Sequence, residues 1–309
     1  MHRGARLNGL PPRLRFRRDV AVRRPGGPVH YVDFGGSGPP LVLVHGLAGS
    51  ALNWMTVGDE LTARHHALAP DLRGFGRTPL GPGTRLRDNQ LLLDRFLREV
   101  AGTPATVVAN SMGALLAVRQ AADHPETVAN LVLVDPALPW RGRRPFDPTL
   151  WTVSAALVTP MLGGPVAGRR ARRWGAERVV AAAFELCCSD PARISPDVVR
   201  AHVALEAERI AESRSQRALV QAARSLAWAL GRSEIETYRR VQAPTLVVHG
   251  DRDRLVPTSF SRAIGDRFAW EVVVLPGIGH LPMLEAPAEF LAVTSPWLQV
   301  REGSTAAEG

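Results

Sequence analysis

The 309-residue chain contains no lysine, so arginine supplies all 38 of its permanently basic side chains and a formal charge of +9. That uniformity points to the codon bias of a GC-rich genome rather than to a chemical need for guanidinium. Cysteine is almost as scarce. Cys187 and Cys188 are the only two, and as sequence neighbours they are poorly placed for ordinary disulfide geometry; no disulfide framework follows, and the pair reads as reduced and packed inside a helix. There is no H-E-x-x-H string and no paired Cys/His spacing, so the sequence calls for neither a metal nor a cofactor. The basic N-terminus lacks an apolar run of signal-peptide length. Residues 151–168 carry no charge, yet Pro160, Gly163, Gly164 and Pro165 interrupt them where a membrane span would need continuity. A reduced, cytoplasmic setting is the expectation.

What is present begins with Val107-Val108-Ala109-Asn110-Ser111-Met112-Gly113-Ala114. Residues 106–109 are apolar and β-branched like a buried parallel strand, and residues 114–118 continue with helix formers. A turn this tight between strand and helix strains its apex and requires small neighbours two positions either side; Ala109 and Gly113 meet that demand. Ser111 then stands above the sheet as a candidate nucleophile. Taken alone, the same string also describes an ordinary helix start capped by a serine.

Four further strands end in chemistry-bearing loops. Leu41-Val42-Leu43-Val44 runs into His45-Gly46-Leu47-Ala48-Gly49-Ser50, whose broken backbone can aim N–H groups at an oxyanion. Ala67-Leu68-Ala69-Pro70 runs into Asp71-Leu72-Arg73-Gly74-Phe75-Gly76-Arg77-Thr78. Thr245-Leu246-Val247-Val248-His249-Gly250 delivers Asp251 and Asp253, and Val272-Val273-Val274-Leu275 delivers His280 after a Gly-x-Gly turn. The chain order is Ser, Asp, His. A serine needs an adjacent base, a histidine has the suitable unperturbed pKa, and a buried carboxylate can fix the imidazole tautomer. Each group leaves the carboxyl end of a strand, where all three can share one crevice.

These motifs resemble the α/β-hydrolase fold superfamily, in its serine-nucleophile branch with a helical cap, over residues 29–298. The resemblance implies Ser111 as nucleophile, His280 as general base, Asp253 as its orienting acid, and the backbone N–H groups of Leu47 and Met112 as the oxyanion hole. It also implies that the Asp71–Thr78 stretch is structural and that His45 braces the oxyanion loop. Asp251 competes with Asp253 and reads as a loop brace. Asp135, after Leu131-Val132-Leu133-Val134, lies where some relatives carry their acid and is the second choice. His65, His66 and His124 read as solvated.

The fold class expected is α/β: a mostly parallel sheet with helices on both faces and an inserted helical cap. Residues 28–138 and 242–300 form the core, 139–241 the cap, 1–27 a basic extension and 301–309 a frayed tail. Within the cap, residues 177–186, 196–210 and 216–230 show helical spacing. The arginine clusters at 13–18, 23–24, 141–144 and 169–173 read first as solvated surface and second as a peripheral contact for anionic lipid; no recognition motif accompanies them, so nucleic acid is not an expected partner.

Three functions fit this pattern. The first is hydrolysis of a small, apolar ester through an acyl-enzyme. The second uses the same triad for acyl transfer, perhydrolysis or carbon–carbon cleavage, and the Asn110-Ser111-Met112-Gly113 string resembles carbon–carbon hydrolases; Leu281, where those relatives tend to carry tryptophan, speaks against it. The third, a binding protein without turnover, ranks last because every triad member is present. The family's dehalogenases and epoxide hydrolases place aspartate where this chain has Ser111. Trp140, Trp151, Trp174, Trp228, Met161 and Leu162 supply apolar surface to the cap, either lining the pocket or packing as the cap's own core. If they line it, kcat/KM rises several-fold for each added pair of methylenes from acetyl to medium-chain esters, since each buried methylene contributes about 0.8 kcal/mol. A p-nitrophenyl ester series measures this; a profile that is flat or falls beyond acetyl shows the cap closing the pocket.

Overall fold

In the computed structural model, which describes residues 18–24, 27–137, 163–211, 215–231 and 234–307, eight strands form one sheet. They are β1 (Arg18–Arg24), β2 (Gly27–Gly35), β3 (Pro40–Val44), β4 (His66–Pro70), β5 (Ala105–Asn110), β6 (Val128–Val134), β7 (Thr245–Gly250) and β8 (Glu271–Leu275). The spatial order is β1-β2-β4-β3-β5-β6-β7-β8. β2 pairs antiparallel with β1 and β4, and every other neighbouring pair is parallel.

The parallel strands are apolar on both faces because helices cover both. Leu41 and Leu43 of β3 join Val108, Val132, Val134, Leu246 and Val248 in one core, with Trp54, Phe290 and Trp297. Val42 and Val44 point the other way, into a core with Val107, Leu131, Leu133, Leu93, Phe96 and Leu115. Alternation along each strand thus divides the apolar residues between two layers, and each fully buried Val or Leu contributes about 1.5–3 kcal/mol. The covering helices of the N-terminal half are α1 (Leu86–Phe96) and α2 (Met112–Asp123).

Among the described residues between β6 and β7 lie α3 (Gly163–Cys187, kinked at the non-helical Gly175), α4 (Pro196–Ala211) and α5 (Ser215–Leu230), which include the three places where the sequence shows helical spacing. A short helix, α6 (Ile235–Arg239), follows, but its Tyr238 packs edge-on against Phe268 and near Trp270, so it sits with the sheet-covering elements. The chain then adds α7 (Thr258–Phe268), α8 (Pro282–Glu285) and α9 (Pro287–Ala307). No helix among the described residues is long and apolar enough to cross a membrane.

Several expectations need correction. Residues 18–24, taken as part of a basic extension, form an edge strand in register with β2, Arg18 opposite Asp33 and Arg24 opposite Gly27. The expected frayed tail continues α9 to Ala307. His65 is buried rather than solvated, its Nδ1 facing the Leu61 carbonyl at 3.3 Å, and His66 pairs with Asp33 at 3.0 Å. Cys187 closes α3 and Cys188 lies one residue beyond it; both are free thiols. Trp228 is 65% exposed, while Trp140, Trp151, Met161 and Leu162 lie outside the described residues.

Gly113 shows how tightly α2 meets the sheet. A Cβ there would stand 2.6 Å from the His45 carbonyl oxygen and 2.8 Å from that of Val44, both backbone atoms that cannot swing aside. Gly113→Ala is expected to destabilise the fold by about 1–3 kcal/mol, the usual cost of overpacking, read as a lower urea midpoint at unchanged m-value. An unchanged midpoint contradicts this packing.

Candidate active site

Ser111 sits between β5 and α2 with φ 54° and ψ −117°, a backbone conformation that a residue with a side chain rarely adopts. The strain is held from several sides. The Ser111 N–H donates to the Val134 carbonyl at 2.9 Å, and the Ser111 carbonyl accepts from Ala114 and Ala137 at 3.1 Å each. Met112, the first residue of α2, presents a backbone N–H from the turn where helical donors have no intrahelical acceptor.

The loop after β3 lies against this turn. A Cβ on Gly46 would meet the Ser111 Cβ at 2.9 Å, so only glycine lets the two backbones approach this closely. His45 is fully buried and fixes the loop's orientation. Its Nε2 accepts from the Leu72 N–H at 2.9 Å, which places the ring proton on Nδ1, and Nδ1 donates to the Gly46 carbonyl at 2.7 Å. In a trans peptide the next N–H points opposite to that carbonyl, so His45 turns the Leu47 N–H away from itself. Burial lowers the His45 pKa to about 4 despite the nearby Asp71, and the ring stays neutral at ordinary pH. Downstream, Ser50 caps a 3₁₀ turn at Ala51–Trp54, and the Ala51 N–H donates to Asp71 Oδ1 at 2.7 Å. The other oxygen of Asp71 takes the Arg77 N–H at 2.8 Å and the His30 ring at 2.6 Å. Asp71 therefore ties β2 to the loops that follow β3 and β4.

His280 is held from three directions. Its Nδ1 lies 2.7 Å from Asp253 Oδ2, its carbonyl accepts from the Asn110 side chain at 3.2 Å, and its N–H donates to the Cys187 carbonyl at 2.6 Å. The Asn110 bond joins the His280 loop to the residue preceding Ser111. Among the described residues no hydrogen bond links Ser111 Oγ to the imidazole; such contacts often tighten only when substrate is bound.

Asp253 Oδ1 accepts from the N–H groups of Leu255 and Val256 at 2.7 and 3.1 Å. Burial alone would raise this carboxyl, but the charge of His280 and hydrogen bonds from His249 and His280 outweigh it and hold Asp253 well below the usual carboxylate range. Asp251, the rival, instead accepts from the Gly277 N–H at 2.6 Å and braces the two loops. Asp135 is wholly buried in a left-handed conformation (φ 44°), accepting from the Gly250 N–H at 2.9 Å. Burial, then the charge of Asp253, drives its pKa well above the ordinary value. Two carboxyls in one apolar site cannot both ionise cheaply, so Asp253 carries the charge and Asp135 the proton.

The sequence reading did not single out His249 or Glu285. His249 is completely buried on β7; its Nε2 points to the Val256 carbonyl at 2.9 Å and lies 3.3 Å from Asp253 Oδ2 and 3.5 Å from Asp135 Oδ1. A histidine breaking an otherwise β-branched buried strand was the available signal. Glu285 was signalled in the same way, as the one charge in the apolar run 281–286. Donor atoms of Asp135, Asp253 and His280 lie within 4.8 Å of one another. His280 and Asp253 bond each other and Asp135 Oδ1 accepts from the Gly250 N–H, while Asp135 Oδ2 has no hydrogen-bond partner among the described residues.

Residues 41–293 match the model of the alpha/beta hydrolase family, and the chain belongs to that family. It is 30% identical over 252 residues to a monoacylglycerol lipase of Mycolicibacterium smegmatis, covering 78% of this chain and 80% of that one. It is 34% identical over 149 residues to a lipase, LipV, of Mycobacterium tuberculosis, covering 48% and 55%. A haloalkane dehalogenase of Mycobacterium marinum is 33% identical over 157 residues, covering 48% and 52%. In the last two cases the match spans about half the length of the relative. Among solved structures, a serine hydrolase involved in carbazole degradation superposes with a TM-score of 0.70 at 23% identity, covering 92% and 99%. A haloalkane dehalogenase loop variant from Bradyrhizobium elkanii gives 0.75 at 21%, covering 94% and 100%. At those identities the likeness is one of fold.

The protonated Asp135 carries a linkage consequence. In the unfolded chain it ionises above about pH 3.9, whereas the folded protein keeps its proton to higher pH. Because the folded pKa is raised, its contribution is complete below the unfolded value and is lost as pH rises from there toward the folded one. Asn in this position can accept from Gly250 and tolerates positive φ. Asp135→Asn is therefore expected to gain Tm relative to the parent as pH goes from about 4.5 to 8; a difference constant with pH contradicts a neutral Asp135.

Proposed function

We propose that this protein is a serine hydrolase that cleaves a carboxylic ester of a small, apolar substrate through an acyl-enzyme on Ser111. The observation that carries the reading is the 2.7 Å contact of His280 with an ionised, buried Asp253, on the loop that Asn110 ties to Ser111. In this mechanism His280 Nε2 takes the Ser111 hydroxyl proton as Oγ attacks the ester carbonyl carbon. The negative charge on the carbonyl oxygen is received by the Leu47 and Met112 N–H groups. Collapse expels the alcohol, to which His280 returns the proton, and a water then releases the acid by the same steps in reverse roles. Asp253 holds the Nδ1–H tautomer and stabilises the imidazolium as it forms.

Relatives named as lipases support an ester substrate. Relatives named as haloalkane dehalogenases do not favour that chemistry here, because a hydroxyl at position 111 cannot supply the carboxylate that displaces a halide. The second reading, carbon–carbon cleavage or acyl transfer on the same triad, is favoured only by the Asn110-Ser111-Met112-Gly113 string; an acceptor-dependence assay separates it from hydrolysis. The proposal keeps a cytoplasmic setting, and retains the arginine clusters as a contact for anionic lipid.

Ser111→Ala is expected to lower turnover by about 10⁴-fold or more, leaving only oxyanion and binding effects. Asp253→Asn should cost about 10⁴ in kcat by favouring the wrong tautomer, while Asp251→Asn and Asp135→Asn cost far less. Steady-state kinetics on a p-nitrophenyl ester checks all four. Parental activity in a folded Ser111→Ala variant sinks the nucleophile, and a crippling Asp135→Asn beside a mild Asp253→Asn moves the acid to β6.

A further inference from the structure

Glu285 closes α8 and is 2% exposed. Among the described residues no cationic side chain pairs with it; its carboxylate is instead met by three backbone N–H groups. Oε2 accepts from Gly279 at 2.9 Å and from Ser189 at 3.1 Å, and Oε1 accepts from Asp190 at 2.9 Å. Gly279 immediately precedes His280. Ser189 and Asp190 belong to the segment that ends α3, and the Cys187 carbonyl of that segment receives the His280 N–H. The two chains touch so closely that a Cβ on Gly279 would lie 2.5 Å from the Cys187 oxygen and 2.7 Å from the Ser189 nitrogen.

We propose that Glu285 is a positioning residue: one buried carboxylate fixes the cap's residues 187–190 and the His280 loop together, so that seating of the cap and placement of the imidazole are a single event. The effect on turnover rests on the reading of His280 as the general base; the mechanical coupling does not. Glu285 reaches no reacting atom. It acts through the Cys187 carbonyl, which orients the His280 backbone from the cap side, and through the Gly279 N–H from the core side. Two carboxylate oxygens with several lone pairs can satisfy three converging donors. An amide cannot: with its single oxygen facing Ser189 and Gly279, its NH₂ confronts the Asp190 N–H, and in the other orientation it confronts the remaining two.

The test compares the full-length protein with Glu285→Gln and Glu285→Asp, the latter keeping the charge but drawing it back by one methylene, and with Arg193→Ala. The last removes an exposed ion pair between the cap and α9, at 2.9 Å to Glu289, without touching the carboxylate. Two quantities are read: amide hydrogen exchange in peptides spanning residues 187–192 and 276–281, and kcat and KM on p-nitrophenyl acetate. In Glu285→Gln both segments are expected to exchange about tenfold faster or more, together, while kcat falls by a similar factor and KM changes less than about twofold, as loss of hydrogen bonds to a buried charge implies. Glu285→Asp should move all of these the same way by a smaller factor, and serves alone if the Gln variant fails to fold. Arg193→Ala should leave exchange in 276–281 and kcat unchanged. Faster exchange in only one segment, or faster exchange in both with parental kcat in an active wild type, overturns the proposal. If the wild type shows no esterase activity, the functional reading fails by itself; paired loss of protection then still sustains the coupling and unpaired loss still overturns it.

Discussion

One buried negative charge organises the carboxyl edge of the sheet. Asp253 takes two backbone N–H groups on one oxygen and faces two imidazole rings with the other, and this is enough to keep it ionised where burial alone would neutralise it. Its neighbours are arranged around that fact. Asp135 stays protonated because a second charge beside the first would be too costly, and Asp251 is turned outward to hold Gly277. His280 can face Asp253 through Nδ1 only because its backbone is fixed from both sides, by the Asn110 amide and by the Cys187 carbonyl. Asp253 therefore faces the Nδ1 side of the ring, and the backbone contacts fix where the ring sits.

Another buried histidine serves a different purpose in the loop after β3. Among the described residues no carboxylate hydrogen-bonds His45; it is neutral, with its pKa lowered to about 4 by burial, and each ring nitrogen holds one backbone group. Histidine suits this position because it donates on one side and accepts on the other in a fixed plane. Asp71 bridges β2 and the loops that follow β3 and β4. The strained φ of Ser111, the close approach of Gly46 and the crowding at Gly113 all depend on these braces, since strain of this kind persists only where the surroundings over-determine it.

Legibility in the sequence followed the range of the interaction. Parallel strands such as Leu41-Val42-Leu43-Val44 were readable because burial on both faces demands uninterrupted apolar residues. That Asp253 and His280 come together, as their 2.7 Å contact shows, was readable because each lies at a fixed offset from a strand end. β1 was not, since its run Arg18-Asp19-Val20-Ala21-Val22-Arg23-Arg24 carries the charges expected of an edge strand and of a solvated extension alike. His65 was missed because burial of a histidine outside a strand leaves no periodic trace. Glu285 and Asp135 could be noticed as charges beside apolar runs, but not interpreted. Glu285 acts on backbone N–H groups of a segment nearly a hundred residues away, and Asp135 is neutral only because of Asp253, which a one-dimensional reading does not place beside it.

Covalent trapping tests whether Ser111 is the group this array activates. The protein is treated with a fluorophosphonate, and the site and rate of labelling are read by peptide mass spectrometry. A single adduct is expected, on Ser111, formed far more slowly when Asp253 is replaced by asparagine. An adduct on another residue, or labelling of Ser111 at the parental rate without the Asp253 carboxylate, would contradict it.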